Sequence, residues 1–99
     1  MTYKIEYTKK SQSDYDNLDN SQKIQIQKSL SKVESHGMDA GQPLYGKLSG
    51  CNKLKHKKLG LRVIFRRSSK GIEIVEIVVI GARGDNEVYD IAIERLGRA

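Results

Sequence analysis

The 99-residue chain carries 18 Lys and Arg against 12 Asp and Glu, a formal net charge of +6. This length predicts one domain, residues 1–99, with a thin core. A single cysteine, Cys51, excludes an intramolecular disulfide, and no apolar run approaches the ~18 residues of a membrane-spanning helix. The N-terminus is polar and lacks the apolar core of a signal peptide, which favours a reducing, cytoplasmic location without membrane contact.

The N-terminal residues predict a strand followed by a short helix. Apolar and polar residues alternate over 3–7, which is typical of a strand. The next segment, 11–18, suits a short helix with Ser11 or Ser13 as its N-cap. Asp14 would then lie in the first turn, where it complements the helix dipole.

A longer helix is predicted from residue 21 to about residue 36. Its apolar stripe consists of Ile26, Leu30 and Val33, spaced at i, i+4 and i+7, and Gly37 is a suitable residue to end it. The two helices together predict a helical hairpin.

The remaining chain predicts three strands and a last helix. A loop over 38–46 precedes strands at 52–58, 61–67 and 72–80, the last of which is apolar on both faces and therefore central. Asp85 or Asn86 would cap the final helix. The order β-α-α-β-β-β-α predicts an α+β domain with a mostly antiparallel four-stranded sheet, the helical hairpin on one face and a short C-terminal helix.

The charge of the chain is concentrated in its middle third. Residues 40–72 contain nine basic residues and no acidic one, whereas the rest has nine basic and twelve acidic residues. This asymmetry favours a polyanionic partner, nucleic acid first, although a solvated basic face is the simpler alternative. Within it, residues 53–67 alternate like a β-hairpin with Gly60 at the turn, and Lys55 and Lys57, two apart, would point to one side.

Several signatures of other chemistries are absent. The sequence has no Walker loop, no dinucleotide fingerprint, no Cys or His pairs at metal spacing and no Gly-x-Ser-x-Gly elbow, so no cofactor or metal is predicted. Only His36 and His56 could form a two-histidine ribonuclease site. His56, however, would face away from the lysines beside it and suits a partly buried sheet position better.

Lysine and arginine suit the cleavage of RNA by its own 2′-OH. That reaction requires removal of a proton, stabilisation of extra negative charge on the phosphoryl oxygens and departure of the 5′-oxygen. Clustered cations supply the second requirement, and a lysine among like charges gives up its proton more readily. The planar guanidinium fork of arginine suits phosphate.

Short motifs in a fixed order carry a resemblance to a known family. PLYGKLSG at 43–50, the basic hairpin with Gly60 and Arg62, GAR at 81–83 and EVY at 87–89 resemble the RelE branch of the RelE/ParE toxin superfamily. The resemblance covers nearly the whole chain. It implies a ribosome-dependent endoribonuclease that cleaves mRNA in the decoding site without a metal, inhibits translation and is neutralised by a cognate antitoxin.

The resemblance also implies a division of roles among five catalytic residues. Lys55 or Lys57 would help to deprotonate the 2′-OH. Arg62 and Arg83 would stabilise the phosphorane, and Tyr89 would stack on a nucleotide and orient it. RNA and ribosome binding is expected from five further basic residues: Lys47, Lys53, Lys58, Arg66 and Arg67.

Some departures from the family pattern leave alternatives open. The hairpin between Lys57 and Arg62 is shorter than in well-known RelE proteins, so Lys58 could take the place of Lys57. Leu61 stands where an aromatic residue is common, and Ala82 where a basic residue or histidine is frequent. A ParE-like toxin that inhibits DNA gyrase is the alternative within the superfamily. A noncatalytic basic RNA- or ribosome-binding module is the alternative outside it.

Overall fold

The computed structural model describes residues 2–56, 58, 60–82 and 87–98. Its elements, in chain order, are β1 (Lys4–Tyr7), α1 (Lys9–Asp16), α2 (Asn20–His36), β2 (Gln42–Pro43), β3 (Cys51–His56), β4 (Leu61–Arg67), β5 (Ile74–Ala82) and α3 (Glu87–Arg95). Short 3-10 turns at Gly37–Asp39 and Gly46–Leu48 flank β2. Within the described ranges, no helix is both long enough and apolar enough to cross a bilayer.

The sheet has the strand order β1-β5-β4-β3-β2, with β1 parallel to β5 and the other neighbours antiparallel. The predicted α+β class is confirmed, and β5 is an interior strand between β1 and β4, in line with its apolar sequence, whereas β4 is the middle strand of the described sheet. The described sheet has five strands rather than the predicted four, because Gln42–Pro43 pairs with β3 inside the predicted loop. A proline is tolerated there because an edge strand leaves one side of its backbone unpaired.

The N-terminus of α1 differs from the prediction. Thr8, not Ser11 or Ser13, is the N-cap, and its hydroxyl accepts a hydrogen bond from the Ser11 N–H at 3.0 Å. The Ser11 hydroxyl accepts one in return from the Thr8 N–H at 2.9 Å, which completes a capping box. Since α1 begins at Lys9, Asp14 lies beyond the first turn and cannot complement the N-terminal dipole as predicted.

The limits of three other elements also differ. Asp19 caps α2, which starts at Asn20, by accepting from the Gln22 N–H at 2.8 Å. β5 begins at Ile74 instead of residue 72, and Ile72 is 70% exposed. The described part of β3 ends at His56, and the predicted cap of the last helix, Asp85 or Asn86, lies outside the described residues.

Two apolar clusters lie on the two faces of the sheet. The first joins α2 to one face, and its buried residues include Ile26, Leu30, Val33, Leu61, Val63, Phe65, Val75, Ile77 and Ile80. The second joins α3 and the second 3-10 turn to the other face, and its buried residues are Leu48, Cys51, Ile64, Val78, Val79, Val88 and Ala92. The sheet is therefore buried from both sides, which explains why β5 is apolar on both faces from Ile77 to Ile80.

A β-bulge in β5 changes which residues share a face. Ile64 pairs with Val79 and Phe65 with Ile77, so Val78 is an extra residue. Val78 and Val79 consequently both pack on the α3 side. Strict alternation along the strand would place Val79 on the same face as Ile77, and the bulge breaks that alternation.

An ion pair between α1 and α3 holds this bulge. Arg95 Nη1 lies 2.6 Å from Asp14 Oδ2 and also donates to the Val78 carbonyl at 3.0 Å. The Ile80 N–H donates to the same Asp14 oxygen at 3.1 Å. Both charged side chains are only 18% exposed. The pair therefore satisfies backbone groups at the bulge and fixes α3 relative to α1 and β5.

Candidate functional site

The antiparallel pairing of β3 and β4 places three cations on the α3 side of the sheet. Lys55 is directly opposite Arg62 in the register. Cys51 belongs to the apolar cluster under α3, so Lys53 and Lys55, two and four residues further along β3, point to the same side. The alternation read from the sequence therefore brings Lys53, Lys55 and Arg62 to one surface.

The hydroxyl of Tyr89, in the first turn of α3, binds two of these cations. Arg62 Nη1 donates to it at 2.6 Å and Lys53 Nζ at 3.2 Å. Both cations also approach the aromatic ring, with the Arg62 guanidinium carbon 5.4 Å and the Lys53 nitrogen 5.5 Å from its centroid. These distances allow cation–π attraction in addition to the hydrogen bonds. We call Lys53, Arg62 and Tyr89 the Tyr89 cluster.

Close packing between β5 and α3 determines where Tyr89 lies. Gly81 pairs with Arg62 in the register, and a Cβ added to Gly81 would come within 2.6 Å of Val88 Cγ2. Glycine therefore allows Val88, which is buried, to approach β5 closely. The next residue is Tyr89, so this contact brings its hydroxyl within reach of Arg62.

The cations of this surface lack carboxylate partners. The ion pairs formed among the described residues are Arg66–Glu76, Lys70–Glu6 and Arg95–Asp14, and none involves Lys53, Lys55 or Arg62. A tyrosine oxygen can accept two hydrogen bonds through its lone pairs while its own O–H still donates. The surface can therefore bind an anion such as a phosphate through two or three positive charges and a hydroxyl.

The five predicted catalytic residues are placed unequally. Arg62 and Tyr89 are in contact, and Lys55 is the register partner of Arg62. Lys57 and Arg83 lie outside the described residues, so their roles stay predictions. The engagement of the Tyr89 hydroxyl was not foreseen, and a base that stacks on the ring would compete with two cations for its surface.

The residues predicted to bind RNA also separate. Lys53 belongs to the Tyr89 cluster rather than to the periphery, whereas Lys47, Lys58 and Arg67 are exposed. Arg66 Nε lies 2.7 Å from Glu76 Oε2, so its charge is largely compensated. Spacing alone could have placed Lys53 on the same surface as Lys55, because the two residues are two apart on the strand and so point to the same side.

The remaining candidates for nucleophile or metal chemistry have no suitable surroundings. Cys51 is completely buried, and burial raises the pKa of its thiol, which disfavours the reactive thiolate. His56 is partly buried, and its Nδ1 has no hydrogen-bond partner among the described residues. In that part of the chain, no three His, Cys, Asp or Glu side chains converge as possible metal ligands.

Known structures share this fold. A doubly substituted variant of the E. coli toxin RelE in the free state is 22% identical, with a TM-score of 0.80, over 97% of this chain and 99% of that one. The toxin of the Mycobacterium tuberculosis RelBE2 toxin–antitoxin complex is 17% identical, with a TM-score of 0.71, over 84% of this chain and 100% of that one. The E. coli variant in complex with a RelB antitoxin peptide is 25% identical, with a TM-score of 0.70, over 93% and 95% of the two chains. No family model and no curated protein matches the sequence.

Proposed function

We propose, from the RelE-type toxin fold of this chain, that it is the toxin of a toxin–antitoxin pair and a ribosome-dependent endoribonuclease that cleaves mRNA in the decoding site. The observation that carries the nuclease proposal is the Tyr89 cluster. Two cations that have no carboxylate partner among the described residues meet on a tyrosine hydroxyl, and Lys55 lies opposite one of them. The protein would act in the cytoplasm, where translation takes place.

The proposed mechanism uses no metal. Arg62 and Lys53 lie where they can bind the scissile phosphate and stabilise the charge that develops on its oxygens, with Arg83 as a further candidate from the sequence. Lys55, or Lys57, is the candidate base for the 2′-OH. As that oxygen attacks phosphorus, its proton passes to the lysine and the bond to the 5′-oxygen breaks. The leaving 5′-oxygen takes up a proton from water, so the products are a cyclic phosphate and a 5′-hydroxyl.

Ribosome dependence follows from what the site lacks. The described cluster contains cations and a tyrosine but no pair of close histidines that could act as general acid and base. Such a site needs an external scaffold to align the 2′-OH with the phosphate, and alignment can supply about 7–11 kcal/mol of the barrier reduction in favourable cases. The ribosome is the scaffold that we propose.

The cognate partner is an antitoxin whose acidic or amphipathic segment covers the basic sheet surface and α3. Two of the structural neighbours described above are toxin chains in complex with an antitoxin or its peptide. The nine basic residues between positions 40 and 72 give this chain a charge that favours such a segment.

The test is cleavage of ribosome-bound mRNA by purified protein, with mapping of mRNA 5′ ends. We expect much faster cleavage on ribosomes than of naked RNA. Arg62→Gln should lower the single-turnover rate by about 10²–10³. Lys10→Gln, which removes one positive charge from an exposed position of α1, should cleave like the parent.

Three results would overturn the proposal. Equal rates on naked and ribosome-bound RNA would remove the ribosome from the mechanism. Unchanged cleavage by Arg62→Gln would show that the Tyr89 cluster has no part in the reaction. Gyrase-dependent DNA breaks, or RNA binding without cleavage, would favour the ParE-like toxin or the noncatalytic module.

A further inference from the structure

A second basic surface lies at the open end of β3. A shallow cleft of about 460 Å³ separates α2 from this strand, and its charged or titratable lining residues are Lys28, Lys32, Lys55, His56 and Lys58. No carboxylate of the described residues is part of the lining, and none of these lysines forms an ion pair with another of them. Four positive charges around one depression repel one another unless an anion is bound between them.

The arrangement of the cleft follows from helix and sheet geometry. Lys28 and Lys32 are both exposed and four residues apart on α2, so they lie on the same face of the helix about one turn apart. β2 pairs with β3 only at Asn52 and Lys53, so the edge of β3 at Lys55 and His56 is not covered by another strand. The lysines of α2 therefore face an open sheet edge.

His56 provides an independent sign of a missing ligand. Its Nδ1 is buried from solvent, yet no described residue gives it a hydrogen bond. A buried polar atom without a partner is costly, and such atoms are few in native proteins. A ligand that enters the cleft and carries hydroxyls and phosphates, as a ribose–phosphate backbone does, would supply a partner.

Lys55 makes the cleft continuous with the Tyr89 cluster. It lines the cleft and is also the register partner of Arg62. Among the described lining residues there is no Phe, Tyr or Trp, and the one aromatic ring is the imidazole of His56, so the cleft offers mainly charge and hydrogen bonds. Such a lining suits a sugar–phosphate backbone without regard to sequence.

We propose that this cleft binds the backbone of the single-stranded RNA that flanks the bond cleaved at the Tyr89 cluster. This inference rests on the proposed function for the identity of the strand. Lys28 and Lys32 would hold one or two phosphates, and Lys55 would be shared between the flanking strand and the reacting nucleotide. Lys28 and Lys32 would thus add affinity for RNA without taking part in the chemical step.

The experiment measures binding alone. Fluorescence anisotropy with a labelled 12-nucleotide single-stranded RNA is recorded over a range of salt concentrations for the parent and for Lys28→Gln/Lys32→Gln. For a single strand, each lost phosphate contact makes the plot of log K against log salt concentration less steep by about 0.7. We therefore expect the magnitude of this slope to be smaller by up to about 1.4 in the double variant. The control Lys9→Gln/Lys10→Gln removes the same charge from exposed positions of α1 and should change the slope much less.

A second measurement locates the RNA. Imidazole resonances of His56 should shift when the RNA is added to the parent protein, and should shift much less in the Lys28→Gln/Lys32→Gln variant. Equal slopes for the two double variants, or a His56 signal that does not respond to RNA, would overturn the proposal. The proposal would also be overturned if a polyglutamate peptide, at the same charge concentration, competed as effectively as RNA does. The occupant of the cleft would then be an acidic protein segment.

The outcome is independent of the cleavage test. Suppose that Arg62→Gln leaves cleavage unchanged while RNA binding by Lys28→Gln/Lys32→Gln depends less on salt than that of the parent. The cleft then binds RNA and the proposed reaction is wrong. If Arg62→Gln abolishes cleavage while Lys28→Gln/Lys32→Gln binds like the parent, the reaction stands and the cleft proposal fails.

Discussion

Removal of a single oxygen atom at Tyr89 tests how the candidate site works. Stacking of the ring on a base would survive Tyr89→Phe, because phenylalanine has the same aromatic face. The structure predicts otherwise, since the hydroxyl accepts hydrogen bonds from Arg62 at 2.6 Å and from Lys53 at 3.2 Å. Without that oxygen, both cations lose the acceptor that holds them together.

The size of the effect follows from these contacts. A hydrogen bond to a charged group contributes about 1.5–3 kcal/mol. The cluster is only partly buried, so water can replace part of the loss, and we take the lower end for the short bond to Arg62. About 1.4 kcal/mol in the barrier is tenfold in rate, so Tyr89→Phe should cleave about tenfold more slowly. Tyr89→Ala, which also removes the ring, should be slower still.

The assay is single-turnover cleavage on saturated ribosomes, together with an independent measurement of ribosome binding. We expect the rate to fall in Tyr89→Phe while ribosome affinity stays near that of the parent. Tyr45→Phe is the matched control, because Tyr45 is 79% exposed and makes no side-chain hydrogen bond with a described residue. A Tyr89→Phe protein that cleaves as fast as Tyr45→Phe would refute the role of the hydroxyl and restore the stacking interpretation.

Three further predictions concern stability and partner binding. Arg95→Met should lower the free energy of unfolding by about 3–5 kcal/mol in urea titrations, because it leaves Asp14 without its cation. Asp14→Asn should lower it less, since the amide oxygen still accepts from the Ile80 N–H, and equal losses for the two variants would contradict this reasoning. Burial, with a smaller contribution from Tyr15, raises the pKa of Tyr7 to about 12, so stability should fall as the pH rises from about 10 to about 12. Tyr7→Phe should weaken that fall when melting temperatures are compared across this range, and an unchanged pH profile would exclude Tyr7 as its source. Antitoxin association, followed by stopped flow, should slow as salt is raised, and a rate indifferent to salt would argue against electrostatic steering.

Local patterns in the sequence were sufficient for the basic surface of the sheet. Residues two apart on a strand share a side, and the apolar residues of β4 alternate with its arginines, so the common side of Lys55 and Arg62 could be predicted. The apolar stripe of α2 likewise predicted the buried positions Ile26, Leu30 and Val33. In these segments each residue has only two choices, facing the core or facing solvent, and polarity decides between them.

The parts that were missed depend on contacts between distant segments. Tyr89 meets Arg62 only because α3 packs against β5, and no local pattern reports that approach. The bulge at Val78 could not be predicted from the sequence, because every residue from Ile77 to Ile80 is Val or Ile. A shift of one residue therefore leaves the apolar pattern unchanged. At α1, the predicted caps Ser11 and Ser13 have the right chemistry, but Thr8 occupies the position where the chain turns into the helix.

The parallel pairing of β1 with β5 has a consequence for biosynthesis. Lys4 pairs with Ile74, so β1 leaves the ribosome well before β5, the strand with which it pairs. Until β5 emerges, β1 has no partner in the described sheet, β4 has only β3, and α2 lacks much of the apolar surface that covers it. Contacts so far apart in sequence form late, because the chain must close a long loop first. A nascent chain therefore reaches this fold only after β5 has left the ribosome, and under the proposed function a ribosome that synthesises this toxin is not exposed to an active site before that point.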